Sequence, residues 1–189
     1  YSYFYSIIYQ NLKIYWRLFS SLFNKFFKRQ FIPDHKNIIY IENTSKCNLK
    51  CKFCGYPKRD LDNHPLVDMD IEKFKNYVDQ SIDMGFKNIG LTPVTGDIFM
   101  DKKIYEKFNY LEDKKINFQF FTNFVLTTKK GLEQLFNYNY LREIHISIYG
   151  HDEASFIKFT KSNSVSYFKL IENLNNLEFL LSTKKRNFF

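Results

Sequence analysis

Glycine and proline are scarce, six and four in 189 residues. That excludes a collagen-like or low-complexity chain. Cysteine is scarcer: Cys47, Cys51 and Cys54 are the only three, and they fall within eight residues. An odd, bunched set makes a poor disulfide framework and fits metal ligation in a reducing compartment, the cytoplasm. No uncharged apolar run reaches the roughly 18 residues that suggest a membrane span. Lys13 and Arg17 interrupt the aromatic opening stretch, and no secretory signal is visible. Acid is missing from residues 1–30, which carry Lys13, Arg17, Lys25, Lys28 and Arg29. Residues 31–189 hold the other 23 basic residues against 20 acidic ones, so the body is nearly balanced. A pI of 9.2 raises nucleic-acid binding. However, the pairs Lys102-Lys103, Lys114-Lys115 and Lys129-Lys130 read as solvated helix ends, not as a binding stripe. No nucleic-acid partner is expected. The chain starts at Tyr1, so it reads as processed or incomplete.

What is abundant is apolar: 44% of residues are hydrophobic and 20% aromatic. The length suits one globular domain with a sizeable core. Two segments are expected, 1–30 and 31–189. In the first, Ile7, Ile8, Leu12, Tyr15, Trp16, Phe19, Leu22, Phe23, Phe26 and Phe27 recur at three- and four-residue steps, the period of an amphipathic helix. It is expected to pack across one end of the main domain with its cations facing water. The alternative is weak contact with an anionic membrane surface. Phe31-Ile32-Pro33-Asp34 should break the helix as a short linker.

From Asn37 the pattern alternates between strand and helix. Strands are expected at 37–42, 87–91, 116–121 and 143–148. Helices should start at Asp70, Asp101 and Thr127 or Thr128, and Gly85 should end the first. The chain's end reads as helix, with Phe168, Ile171, Leu174 and Leu177 facing the core. Four strand–helix repeats imply a parallel sheet with right-handed crossovers. Such a sheet either stays open or curls into part of a barrel, and both place chemistry at the carboxyl ends of the strands.

Four motifs stand at those ends. After the first strand comes Cys47-Asn48-Leu49-Lys50-Cys51-Lys52-Phe53-Cys54. Three sulfurs in one loop can wrap a single metal centre. Zinc would take a fourth ligand, and His35 or His64 is near enough in sequence. A four-iron cluster on three thiolates would instead keep one iron open to an outside ligand. Thr95-Gly96-Asp97-Ile98 follows the second strand, where a glycine turn exposes backbone to a polar ligand. Thr122-Asn123 ends the third. Ser147, with Tyr149 and Gly150, ends the fourth. His145 and His151 read as a strand residue and a helix-start residue, not as ligands.

The C-x3-C-x2-C spacing after a first strand, with Phe53 before the last cysteine, resembles the signature of the radical S-adenosylmethionine (radical SAM) enzymes. The other motifs match that family in order. Thr95-Gly96-Asp97-Ile98 stands where a Gly-Gly-Glu-Pro-like stretch meets the SAM amino group. Thr122-Asn123-Phe124 stands where several members carry Thr-Asn-Gly. The resemblance covers roughly Ile38 to Leu181.

The resemblance implies an α/β fold: an incomplete parallel (β/α) barrel of the radical SAM type, with about four of six units, preceded by an amphipathic helix. It also implies a 4Fe-4S cluster on Cys47, Cys51 and Cys54. SAM would be held by Phe53, Thr95, Gly96, Asp97, Asn123 and Ser147, with Phe53 against adenine and Ser147 on the ribose or carboxylate. Reductive cleavage of SAM would yield a 5′-deoxyadenosyl radical that takes hydrogen from a substrate. An electron donor such as flavodoxin or ferredoxin is implied, and no catalytic side chain is assigned. Two competing readings are a zinc- or cluster-stabilised binding module without enzymatic activity and a relic that binds a cluster but turns nothing over.

Overall fold

Four short apolar runs become the four strands of one sheet. The computed structural model describes residues 2–27, 38–91 and 94–184. The strands are β1 (Ile38–Ile41), β2 (Asn88–Leu91), β3 (Asn117–Thr122) and β4 (Leu141–Ile146). All neighbours are parallel, in the order β1-β2-β3-β4. Sequential order with every crossover on the same side is the start of a barrel wall rather than a doubly wound sheet.

The two faces of the sheet differ in chemistry. Side chains alternate across a strand, so the register puts Ile41, Leu91, Phe120 and Ile144 in one row across one face. That row joins the core with residues of five helices. These are the crossover helices α2 (Ile71–Asp83), α3 (Ile104–Asp113) and α4 (Lys129–Leu135), then α5 (Glu153–Thr160) and α6 (Ser164–Lys184) after β4, numbered after an amino-terminal α1 (Ser2–Phe26). Phe108 of α3 sits at the centre, stacked on Phe118 and Phe120 with ring centroids 5.4 and 5.3 Å away. The opposite face carries Tyr40, Gly90, Gln119, Phe121, Glu143 and His145. There the Tyr40 ring covers Gly90, its register partner, so closely that a Cβ on Gly90 would lie 2.3 Å from it. His145 stacks on Phe121 with centroids 4.2 Å apart. This is the face that a curled sheet turns inward.

Local signals explain most boundaries. The Asp70 carboxylate caps α2 by accepting from Glu72 N, and Gly85 ends that turn at φ 88°. Thr128 caps α4 by accepting from Gly131 N. Each lysine pair stands at a helix end as expected: Lys102-Lys103 before α3, Lys114-Lys115 after it, and Lys129-Lys130 opening α4.

Several expectations need correction. Asp101 does not cap α3 directly; it closes a 3-10 turn (Ile98–Met100) and accepts from Lys103 N, one residue before the helix. Strand β4 starts two residues earlier than the alternating isoleucines suggest. The carboxyl-terminal helical region is two helices, α5 and α6, broken at Lys161, which takes a left-handed conformation. Phe168 is exposed, because the inward face of α6 runs through Tyr167, Leu170, Asn173, Leu174, Leu177 and Leu180. In α1, the apolar residues with described side chains lie exposed instead of packing on the domain, Trp16 at 65% and Phe26 at 82%. The expected linker at 31–34 and His35 lie outside the described residues.

Candidate functional site

A cavity of about 420 Å³ opens at the carboxyl ends of the strands. Its lining draws on four separate stretches: Cys47, Leu49, Cys51, Phe53, Cys54 and Gly55; Val94 to Asp97; Phe121 to Asn123; and Ser147 with Tyr149. The three cysteines and the six residues expected to hold SAM, namely Phe53, Thr95, Gly96, Asp97, Asn123 and Ser147, are all among them. Residues as far apart in the chain as Cys47 and Tyr149 can meet here because parallel strands all end on the same side.

The cysteine loop is shaped by ties at its start and in the middle. At its start it pairs with the chain entering α2: Ser45 N donates to Val67 O (2.9 Å) and Met69 N to Asn43 O (2.8 Å). The Lys46 ammonium bonds Asp68 at 2.7 Å, and the Thr44 hydroxyl donates to the same carboxylate. Burial works against the Asp68 charge, but these two donors hold its carboxyl below the ordinary range. In the middle, Lys50 N donates to Thr160 O and Lys52 N to Phe159 O, anchoring the loop on the end of α5. Leu49 is buried between the first two cysteines.

The three thiols are free, with Cys51 buried and the other two half-buried. Burial raises both Cys47 and Cys51 to about 11, and neighbouring cysteine thiolates oppose ionisation further. Backbone N–H groups of Leu49 and Tyr56 point at the Cys47 and Cys54 sulfurs, 3.5 and 3.4 Å away. A cationic metal beside Cys47 and Cys51 would offset that burial and favour their thiolates. Three sulfurs on one cavity wall, two of them hydrogen-bonded, fit a cluster as its ligands. Among the described residues, no three His, Cys, Asp or Glu side chains are already gathered around the position of one ion. His64 does not line the cavity.

Asp97 occupies the position expected to meet the SAM amino group, but its carboxylate is committed within the protein. One oxygen accepts from Thr122 Oγ1 (2.9 Å) and Asn123 N (2.7 Å), the other from Phe99 N (3.1 Å). Its own N–H donates to Lys46 O at 2.8 Å. The residue is 1% exposed. Burial pushes its carboxyl above the ordinary range, against the three hydrogen bonds, which favour the ionised form. Asp97 therefore clamps the second motif to the first and third, leaving Thr95 and Gly96 to present backbone along the wall. The separated motifs of the sequence are one bonded unit.

The third motif shows why Phe124 can stand where glycine is common. It adopts φ 64°, the left-handed region that favours glycine. The conformation costs on the order of 1 kcal/mol for a side-chain-bearing residue. The Phe124 side chain is wholly buried, its N–H donates to Thr122 Oγ1, and its carbonyl accepts from Asn173 of α6. Burial of a phenylalanine outweighs that strain. The Asn123 amide meanwhile donates to Asn48 Oδ1 (2.8 Å) and stands 4.0 Å from the Cys47 sulfur.

At the fourth strand end, Ser147 N donates to Thr122 O, extending the ladder past β4. The Tyr149 ring lies 4.9 Å from Phe53 by centroids, and together they form an aromatic flank. Tyr149, Asn48 and Thr122 were not picked out as ligand contacts. For Tyr149 the signal was present, two residues beyond Ser147 and so on the same side of an extended chain. Gly150 follows at φ +144°, and a Cβ there would lie 2.6 Å from Phe156 N. Gly150→Ala is expected to lower stability by about 2 kcal/mol or more. Urea denaturation checks it; an unchanged midpoint would mean that the turn is not held in this form.

Solved structures share this architecture. SuiB from Streptococcus suis bound to precursor peptide SuiA superposes with a TM-score of 0.58 at 19% identity, over 74% of this chain and 30% of that one. The anSMEcpe structure with bound AdoMet gives 0.58 at 18%, over 75% of this chain and 41% of that one. BtrN in complex with AdoMet and 2-DOIA gives 0.51 at 17%, over 70% and 54%. The likeness at such identities is one of fold, and this chain spans about a third to a half of those proteins' lengths. Comparison with curated proteins finds no match. The family model of the Radical SAM superfamily matches residues 41–179, from the last residue of β1 well into α6. The match takes in all four strand-end motifs and most of the chain, which belongs to the radical SAM superfamily.

Proposed function

We propose that this chain is a radical SAM enzyme, or the part of one that carries the cluster and SAM. Cys47, Cys51 and Cys54 would hold a 4Fe-4S cluster. A single observation carries this reading: the three cysteines and six further residues chosen from sequence line one cavity, and Asp97 bonds three of the four motifs together. When bound, the cluster supplies the electron for reductive cleavage of SAM to methionine and a 5′-deoxyadenosyl radical, the species that removes hydrogen from substrate.

The chain's own residues bind, orient and shield. Phe53 and Tyr149 offer flat apolar surface to adenine, a contact worth about 1–3 kcal/mol. Asn123 and Ser147 offer an amide and a hydroxyl to the polar end of the cofactor. Thr95 and Gly96 offer backbone groups, held in place by Asp97 from behind. The half-enclosed cavity limits water and stray hydrogen donors around reactive species. Three reduced thiols suit the cytoplasm, with a flavodoxin or ferredoxin as the electron source.

The test is anaerobic reconstitution followed by iron and acid-labile sulfide analysis, then SAM with reductant and chromatography for 5′-deoxyadenosine. Iron with equal sulfide and new 5′-deoxyadenosine are expected. Zinc without sulfide would overturn the proposal in favour of a binding module. A cluster indifferent to SAM would overturn the enzymatic part.

A further inference from the structure

None of the described side chains of α1 lines the cavity, and its exposed face needs an occupant. On a 3.6-residue period, Leu12, Tyr15, Phe19, Leu22, Phe23 and Phe26 share one side. Positions 13, 17, 20, 21 and 24, which are Lys, Arg, Ser, Ser and Asn, share the other. Aromatic rings touch in series along the apolar side: Trp16 and Phe19 at 6.0 Å, Phe19 and Phe23 at 6.2 Å, Phe23 and Phe27 at 4.5 Å between centroids. On the polar side the Asn24 amide donates to Ser20 O at 2.8 Å. The aromatic series is exposed along its whole length, with Leu22 at 67%.

We infer that α1 lies in the interface of an anionic lipid surface, rings inward and cations at the headgroups. Charge complementarity selects this occupant. The charged residues of segment 1–30 are all basic, so two copies of α1 would bring like charge to like charge, and the body, with 23 basic and 20 acidic residues, carries no net negative charge to attract it. The apolar side is too broad and too aromatic for a coiled-coil seam, which wants a narrow aliphatic stripe. Trp, Tyr and Phe are the residues that settle at headgroup depth. Among the described residues, no helix is long and apolar enough to cross a bilayer. An in-plane position is the one left for α1.

The chain has a single tryptophan, Trp16, so its emission reports this helix alone. The whole protein is mixed with vesicles of phosphatidylcholine containing about one-third phosphatidylglycerol, and with pure phosphatidylcholine. Blue-shifted emission and co-sedimentation are expected with the anionic vesicles, at least about tenfold tighter than with neutral ones and weakened by roughly 0.5 M salt. Lys25→Glu should reduce partition, and Leu22→Glu with Phe26→Glu should abolish it while the cavity's ligand binding stays intact. Four results would overturn the inference: no shift on anionic vesicles, equal partition into neutral ones, a shift that grows with protein concentration in the absence of lipid, or blue-shifted emission from the dilute lipid-free chain. The third would assign the face to a second copy, and the fourth to the chain's own domain.

Discussion

Cys51→Ala is expected to give a folded chain that takes up no stable cluster and cleaves no SAM. Cys51 is the most buried of the three and sits where Lys50 and Lys52 pin the loop to α5. Removing one small sulfur costs packing of only about 1 kcal/mol, so circular dichroism should be unchanged. Two remaining thiolates leave two irons without protein ligand, and a cluster needs its ligands to persist. Iron and sulfide per chain, measured after anaerobic reconstitution, should fall close to background. His64→Ala is the control, because His64 lies outside the cavity lining. Full loading in Cys51→Ala, or loss of metal in His64→Ala, would turn the assignment toward a different ligand set.

A comparably large effect is expected behind the cavity. Lys107 of α3 is completely buried, donating to Met69 O (2.6 Å) and to the Asp101 carboxylate, with the Phe74 ring 5.5 Å from its nitrogen. Asp101 accepts in addition from Asn43 Nδ2 (3.1 Å) and Lys103 N (2.9 Å). Lys107→Met keeps much of the volume but strands a buried carboxylate, which should cost about 3–5 kcal/mol. Adding Asp101→Asn to that variant removes the stranded charge and should recover a large part of the loss. Urea denaturation of the single and double variants measures both. A single variant within about 1 kcal/mol of the parent would mean that the pair is not sequestered as described. The pair also matters to the site, since Asn43 leads into the cysteine loop and Asp101 closes the turn that Asp97 begins.

Much of this was legible in the sequence because its signals are local. Strand runs, Asp70 and Thr128 caps, Gly85 as a stop and the strand-end motifs are all read within a few residues. What escaped depends on distant partners. Asp97 reads as a ligand until Thr122 and Asn123, 25 and 26 residues on, are seen to hold its carboxylate. Helix α5 has only eight residues and weak periodicity, and its capping box of Asp152 and Ser155 reads as part of a turn. On α6, Leu174 and Leu177 pack inward as the spacing predicts, but Phe168 does not, and an inward position goes to the polar Asn173, which reaches the Phe124 carbonyl. Lys107 gives no sign in sequence that it is internal. For α1, periodicity revealed an apolar side but could not say what would cover it.

The ties from Lys50 and Lys52 to Phe159 and Thr160 have a consequence for how the protein is made. Some 110 residues separate the two ends of each tie, and contacts so far apart form late and slowly. A nascent chain whose amino-terminal half has left the ribosome already displays its thiols, yet the middle of their loop still lacks its anchor on α5. Metal offered at that stage would meet a floppy chelator able to seize zinc or to oxidise. On the function proposed, orderly insertion of a cluster would wait until α5 has been synthesised and docked.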